Sequence, residues 1–371
     1  MLIDIIAGAR PNFIKIAPII EAIEAQRKAG IDIQYRLVHT GQHYDKKMSG
    51  DFFEQLNIPA PHHNLEVGSG TQAEQTGKIM IGYEKLLVEK PCDLCIVVGD
   101  VTSTMACSIA AKKVNNIKVA HVEGGIRSGD RTMPEEINRI VTDSITDYFF
   151  TTSEVANNNL RKTGVSEESI FFVGNTMIDT LYKQMPHFRK PVFWDEFGLR
   201  EQGYIVMTLH RPANVDNGAK LKELISEIVQ SSRGLPVIFP VHPRTAKMLE
   251  NNGQSPDNLF VIEPLGYLEF NYLVQNAKAV ITDSGGITEE ATVMGVPCMT
   301  LRDSTERPET CTTGTNELLG TDPKSIAPAF EKLFSGNWKK GGVPELWDGK
   351  TAERIIGHIM GLFGLDGISR K

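Results

Sequence analysis

Short apolar runs recur along this chain. Each closes in a glycine or a polar turn, and each is followed by a stretch with apolar residues at helical spacing. Strands are expected at residues 2–6, 34–39, 63–67, 93–98, 118–122 and 147–151, with helices at 14–25, 46–56, 72–89 and 134–145 among them. Strands joined through helices pair in parallel, and parallel strands buried on both faces read as continuous apolar runs. A strand at 170–173 and a helix at 176–185 lead to Lys190-Pro191-Val192, which reads as a linker region. The alternation then resumes, with strands at 204–209, 237–241, 259–262, 277–281 and 298–301 and helices at 217–230, 267–275 and 287–294. Helices near 322–334 and 352–362 close the chain. The expected fold class is α/β, with two Rossmann-like doubly wound domains facing across a cleft, and 371 residues is a comfortable length for two domains.

Composition narrows the function classes. No apolar run approaches the ~20 residues that a membrane helix needs, and the N-terminus begins at once with a strand, so neither membrane span nor signal peptide is expected. A net charge of −7 argues against a broad nucleic-acid surface. An anionic ligand would then be held by a few placed cations and by helix ends. The five cysteines are odd in number and several lie in strand-like runs, which fits reduced thiols in cytoplasm. Cys92-x-x-Cys95 has redox spacing, but Cys95 belongs to an apolar strand and no second pair completes a zinc site, so it reads as core.

In a doubly wound sheet, ligands lie beyond the carboxyl ends of the strands. Arg10, Asp100 and Glu123 all occupy such ends, and Glu135 starts a helix after Pro134. In the second half His210 ends a strand, and Asp283-Ser284-Gly285-Gly286 joins a strand to a helix. Two glycines allow close backbone approach, and the first N–H groups of a helix attract phosphate. Glu290, about one turn in, suits a ribose hydroxyl pair, and Arg307 in Thr305-Glu306-Arg307-Pro308-Glu309 suits a diphosphate. Each has a structural alternative: Asp100, Asp283 or Ser284 as a helix cap, Glu135 and Glu136 as ordinary first-turn acids, His210 as a satisfied strand-end histidine. Glu123, between a buried strand and Gly-Gly, is hardest to explain structurally. His62-His63 and His121 with Glu123 lack further metal ligands, no Gly-x-Gly-x-x-Gly follows the first strand, and no Walker loop occurs. No metal and no cofactor are expected.

The chain resembles the non-hydrolysing UDP-N-acetylglucosamine 2-epimerases along nearly its whole length. The motifs that carry the resemblance are Gly8-Ala9-Arg10-Pro11 with Lys15, His39-Thr40-Gly41-Gln42-His43, Gly99-Asp100 and His121-Val122-Glu123-Gly124-Gly125-Ile126-Arg127. They continue with Pro134-Glu135-Glu136-Ile137-Asn138-Arg139, Gly174-Asn175-Thr176, Leu209-His210-Arg211, Asp283 through Glu290, and Thr305 through Glu309. The resemblance implies a fold like that of two-domain nucleotide-sugar glycosyltransferases (GT-B-like), with the final helix crossing back. That places domains at 1–174 plus 353–371 and at 175–352. It implies conversion of UDP-GlcNAc to UDP-ManNAc through a 2-acetamidoglucal, feeding surface polysaccharide synthesis, in a cytoplasmic homodimer.

By this likeness Asp100, Glu123, Glu135 and His210 are catalytic. Arg10 and Lys15 contact substrate, Ser284, Gly285, Gly286 and Arg307 hold the diphosphate, Glu290 holds the ribose, Phe270 lies on the uracil and the backbone at Leu265 reads its edge. Gln42, His43, Arg211 and His242 match parts of a second, activating site, but the loop 66–71 carries no arginine where many bacterial members have one. Relatives acting on UDP-2,3-diacetamido sugar acids share most of the pattern. A glycosyltransferase of the same fold, a hydrolysing epimerase and a non-catalytic nucleotide-sugar sensor are the rival readings.

Overall fold

The computed structural model describes residues 1–41, 56, 58–115, 117–241 and 256–365. The chain forms two compact units, one of Met1–Lys183 with Glu345–Lys371, the other of Gln184–Pro344.

The first unit holds seven parallel strands, β1 (Leu2–Ala7), β2 (Gln34–His39), β3 (His63–Asn64), β4 (Leu94–Val98), β5 (Lys118–Val122), β6 (Tyr148–Thr151) and β7 (Ile170–Phe172), in the spatial order β3-β2-β1-β4-β5-β6-β7. Its helices are α1 (Arg10–Lys28), α2 (Gln72–Glu89), α3 (Thr102–Lys113), α4 (Pro134–Ile145), α5 (Glu154–Lys162) and α6 (Thr176–Gln184). All five residues of β4 are buried, as a central strand covered on both faces requires. The strand expected over 63–67 shortens to the exposed pair His63–Asn64 at the sheet edge. The helix expected over 46–56 falls almost wholly outside the described residues.

Strand order reverses direction between β1 and β4, so the ends of those two strands define the switch point at which doubly wound sheets bind ligands. Asn12 ties them together. Its Oδ1 accepts the N–H of Gly8 (3.1 Å) and of Ala9 (3.0 Å), and its Nδ2 donates to the Val98 carbonyl (3.0 Å).

The second unit repeats the winding with six strands, β8 (Ile205–Thr208), β9 (Val237–Pro240), β10 (Leu259–Ile262), β11 (Ala279–Thr282), β12 (Cys298–Thr300) and β13 (Asn316–Leu318), in the order β10-β9-β8-β11-β12-β13. Its helices are α7 (Pro212–Val215), α8 (Gly218–Ser231), α9 (Tyr267–Asn276), α10 (Gly285–Val293), α11 (Pro308–Thr312) and α12 (Ile326–Phe334). Here the switch point lies between β8 and β11. Thr208 pairs with Thr282 in register, and their hydroxyls meet at 2.6 Å.

The last helix, α13 (Thr351–Leu362), belongs to the first unit, as expected of a chain that crosses back. The buried Trp347 just before it donates its indole N–H to the Thr152 carbonyl at 3.1 Å. Helix α6 also packs in this unit: the Thr180 hydroxyl donates to the Ile14 carbonyl at 2.6 Å, and the division expected at 174 falls just before this helix.

The cysteines behave as core. Cys92, Cys95, Cys107 and Cys298 are buried and unpaired, and burial pushes every one of those thiols up, Cys298 to about 12.

Candidate active site

In the first unit, β5 ends in Glu123. Its backbone adopts φ +73°, a region that side chains other than glycine occupy at a cost of about 1–3 kcal/mol. The Glu123 N–H donates to Phe150 O at 2.9 Å, which helps hold that conformation. The side chain is buried, and Lys15 Nζ of α1 lies 2.8 Å from its Oε2. Gly99 ends the neighbouring β4 at φ +70°. A Cβ there would approach Lys15 Nζ to 3.4 Å and Glu123 Oε2 to 3.8 Å, so the turn runs against the ion pair.

Asp100 follows. Its side chain is about one-third exposed (32%) and pairs with Arg139 of α4, while Asn138 Nδ2 donates to its carbonyl at 2.8 Å. The helix-cap reading of Asp100 is not what the structure shows, because Val101 occupies the cap position of α3. Glu135 is half-buried on the first turn of α4. Its neighbour Glu136 is buried and accepts from Ser128 N (2.9 Å), Gly129 N (3.1 Å) and Arg139 Nη1 (2.7 Å). Burial opposes its ionisation, but those donors outweigh it and hold the carboxyl below its usual range.

In the second unit, Asp283 is fully buried at the end of β11 and serves as the hub. It accepts the backbone N–H of His210 (3.1 Å) and of Arg211 (3.0 Å), the Asn214 amide (3.0 Å) and His210 Nδ1 (2.7 Å). Burial raises its pKa, and the His210 and Asn214 contacts outweigh that, so the carboxyl lies below the usual range. With Nδ1 on the carboxylate, the exposed His210 ring has Nε2 as its outward nitrogen.

Helix α10 starts two residues earlier than its apolar periodicity suggests, with Gly285 and Gly286 as its first residues. Ser284 stands at the cap position, but its side chain makes no capping bond; Asp283 does not cap the helix either, being committed to His210, Arg211 and Asn214. Further along α10, Glu290 is buried, and its Oε1 accepts the Tyr267 hydroxyl at 2.7 Å. Burial pushes Glu290 up to about 7. This bond ties α10 to α9, where Phe270 lies one turn beyond Tyr267 and Leu265 just precedes the helix; both are half-buried. Arg307 is buried with its Nε 2.8 Å from Glu289 Oε1.

The chain matches the family described as UDP-N-acetylglucosamine 2-epimerase over residues 24–360. The chain belongs to this family. It is 42% identical over 369 residues to the UDP-N-acetylglucosamine 2-epimerase of Methanocaldococcus jannaschii, covering 96% of this chain and 98% of that protein. It is also 39% identical to the UDP-2,3-diacetamido-2,3-dideoxy-D-glucuronate 2-epimerase of Pseudomonas aeruginosa, covering 97% and 99%. The crystal structure of the M. jannaschii enzyme in complex with UDP-GlcNAc and UDP superimposes with a TM-score of 0.86, covering 97% of this chain and all of that one. The protein is thus an isomerase of the UDP-N-acetylglucosamine 2-epimerase family, with that family's two-domain fold.

Within this epimerase, the structure gathers Lys15, Asp100 and Glu123 at the switch point of the first sheet, beside the start of α1 at Arg10. In the second unit it brings His210 to Asp283, immediately before Ser284. Gln42, His43 and His242 lie outside the described residues; Arg211 is half-buried, with Nε donating to Asp283 O at 3.1 Å. Three partners were missed from sequence. The sequence offers Asp283 as a cap and as part of the motif through Glu290, but nothing in it pairs Asp283 with His210, Asp143 with His121 or Glu289 with Arg307. His121, weighed with Glu123 as a metal pair, instead bonds Asp143 and the Gly99 carbonyl. Among the described residues no cluster of three or more His, Cys, Asp or Glu can hold a metal, and no helix is long and apolar enough to cross a membrane.

Proposed function

We propose that the protein interconverts UDP-GlcNAc and UDP-ManNAc by eliminating UDP and adding it back. The observation that carries this reading is Glu123: a buried carboxylate held in left-handed backbone at a strand end, with a lysine for its charge and Asp100 on the adjacent strand end.

The chemistry needs such groups. C2–H is not adjacent to a carbonyl, so it is a poor acid until the anomeric C–O bond begins to break. As UDP leaves, positive charge at C1 acidifies C2–H, a carboxylate takes the proton, and the C1–C2 double bond of the glycal forms. Proton return to the other face with re-addition of UDP at C1 gives the epimer. Asp100 and Glu123 are the acid–base pair, with Glu135 and His210 in support and Arg10 and Lys15 on the substrate. Ser284, Gly285 and Gly286 at the start of α10, with Arg307, stabilise the departing diphosphate. Glu290 receives the ribose hydroxyls, and Phe270 and Leu265 receive the uracil; the Tyr267 bond that joins α9 to α10 puts these in one neighbourhood. No metal or nicotinamide takes part. The protein works as a cytoplasmic homodimer that supplies a polysaccharide precursor.

Asp100→Asn and Glu123→Gln should each lower kcat by about 10²–10⁴-fold. Affinity for UDP should persist in both, because its contacts come from the second unit. Either variant retaining wild-type kcat would remove that residue from the acid–base pair. A second reading, C2 epimerisation of a UDP-2,3-diacetamido sugar acid, is supported by the P. aeruginosa relative at 39% identity. A direct comparison of kcat/KM on the two substrates separates them.

A further inference from the structure

His121 is completely buried on β5, with each ring nitrogen at hydrogen-bond distance from one partner. Nε2 lies 2.8 Å from the Gly99 carbonyl oxygen and Nδ1 2.7 Å from Asp143 Oδ1. A carbonyl has no hydrogen to donate, so Nε2 must carry one. Asp143 already accepts Gly125 N–H at 3.0 Å and Arg127 Nη1 at 2.6 Å on its other oxygen. Those two donors, one of them a guanidinium, favour the ionised form of Asp143 whatever the state of the ring. An ionised carboxylate is also only an acceptor, so Nδ1 must carry a hydrogen too.

We infer that His121 is a buried imidazolium and a positioning residue for Asp100. The role rests on the acid–base reading of Asp100 given above. The turn that carries Asp100 is gripped from β5 and α4 at three points: Gly99 O by His121, Asp100 O by Asn138, and the Asp100 carboxylate by Arg139. Arg139 and Asp143 are four residues apart on α4 and so share one face of that helix. The charged groups around the ring are Asp143 of α4, with Arg127 bound to it. Lys15 of α1 and Glu123 stand next to Gly99, within 4 Å of where its Cβ would be, and Asp100 follows Gly99 in the turn. Because both ring hydrogens are engaged, the imidazolium anchors the turn rigidly. A neutral ring would keep both partners only if Asp143 held a proton and donated it to Nδ1, against the two donors on its other oxygen. His121 itself does not meet the sugar; it acts through the placement of Asp100.

A neutron structure of the deuterated full-length protein at neutral pH tests the charge. Deuterium on both Nδ1 and Nε2 is expected, and a bare nitrogen at either position overturns the inference, whatever variants do. The positioning role is tested with His121→Gln, which retains one donor. It should lower kcat about tenfold or more, with KM and UDP affinity held within about twofold, as expected for lost transition-state alignment. Unchanged kcat, or a change confined to KM, overturns positioning. Asp100→Asn separates the two layers. If that variant is fully active, the acid–base reading fails; if it is inactive while His121 proves neutral, only this inference fails.

Discussion

Glu290 carries the most perturbed carboxyl among the proposed ligand-binding groups, pushed up to about 7 by burial. The unfolded chain titrates near 4.5, so between about 4.5 and about 7 the folded protein holds a proton that the unfolded chain has released. Its contribution to stability therefore falls as pH rises through that window and stays low above it. Glu290→Gln keeps an acceptor for Tyr267 and removes the charge, so at pH 8 it should melt higher than wild type. The same variant should bind UDP more weakly, and wild-type affinity should rise by up to about tenfold between pH 6 and pH 8 in a way the variant does not share. Calorimetric titration at the two pH values checks this; parallel slopes would detach Glu290 from the ribose. At this scale the sequence was legible where chemistry stands at a strand end with no structural excuse, as at Glu123. It was not legible where one side chain serves another. Nothing in the local pattern says that Asp283 reaches His210, 73 residues away, or that Asp143 and Gly99 bracket His121.

Among the elements, α13 depends on a residue far from it in the chain. Asp179 of α6 accepts the N–H of Thr351 at 3.0 Å and of Ala352 at 2.7 Å, supplying acceptors that the first turn of α13 lacks. Lys350 holds the cap position without a side-chain bond. Asp179→Ala should destabilise the first unit by about 2 kcal/mol, and Asp179→Asn, which still accepts, should cost less. Urea unfolding followed by the fluorescence of buried Trp347 reports the difference; equal midpoints for wild type and Asp179→Ala would refute the cap. Central strands and long helices were readable because burial on both faces or along one stripe leaves a periodic record. The edge strand β13 left none, Asn316–Leu318 being too short and too polar, and at the other sheet's edge the apolar residues up to Val67 suggest a longer strand than the pair His63–Asn64 that forms. Helix α11, five residues opening at Pro308, was likewise hidden in a segment read for its arginine.

Taken whole, the molecule is one winding plan used twice. Each sheet runs outward on both sides of its first strand, and the proposed chemistry stands at and beside the two switch points, after β1, β4 and β5 in one unit and after β8 and β11 in the other. The division of labour follows from what each sheet end presents: the buried Glu123, the part-exposed Asp100 and a lysine in the first, a glycine-started helix with Glu290 in the second. The central claim is that C2 loses and regains its proton while UDP departs and returns. Incubation with UDP-GlcNAc in D₂O, without added metal, followed by proton NMR, tests it directly. Loss of the C2 proton signal together with appearance of UDP-ManNAc is the predicted result. Epimer formed with its C2 proton retained, or release of free N-acetylmannosamine in place of UDP-ManNAc, would contradict it.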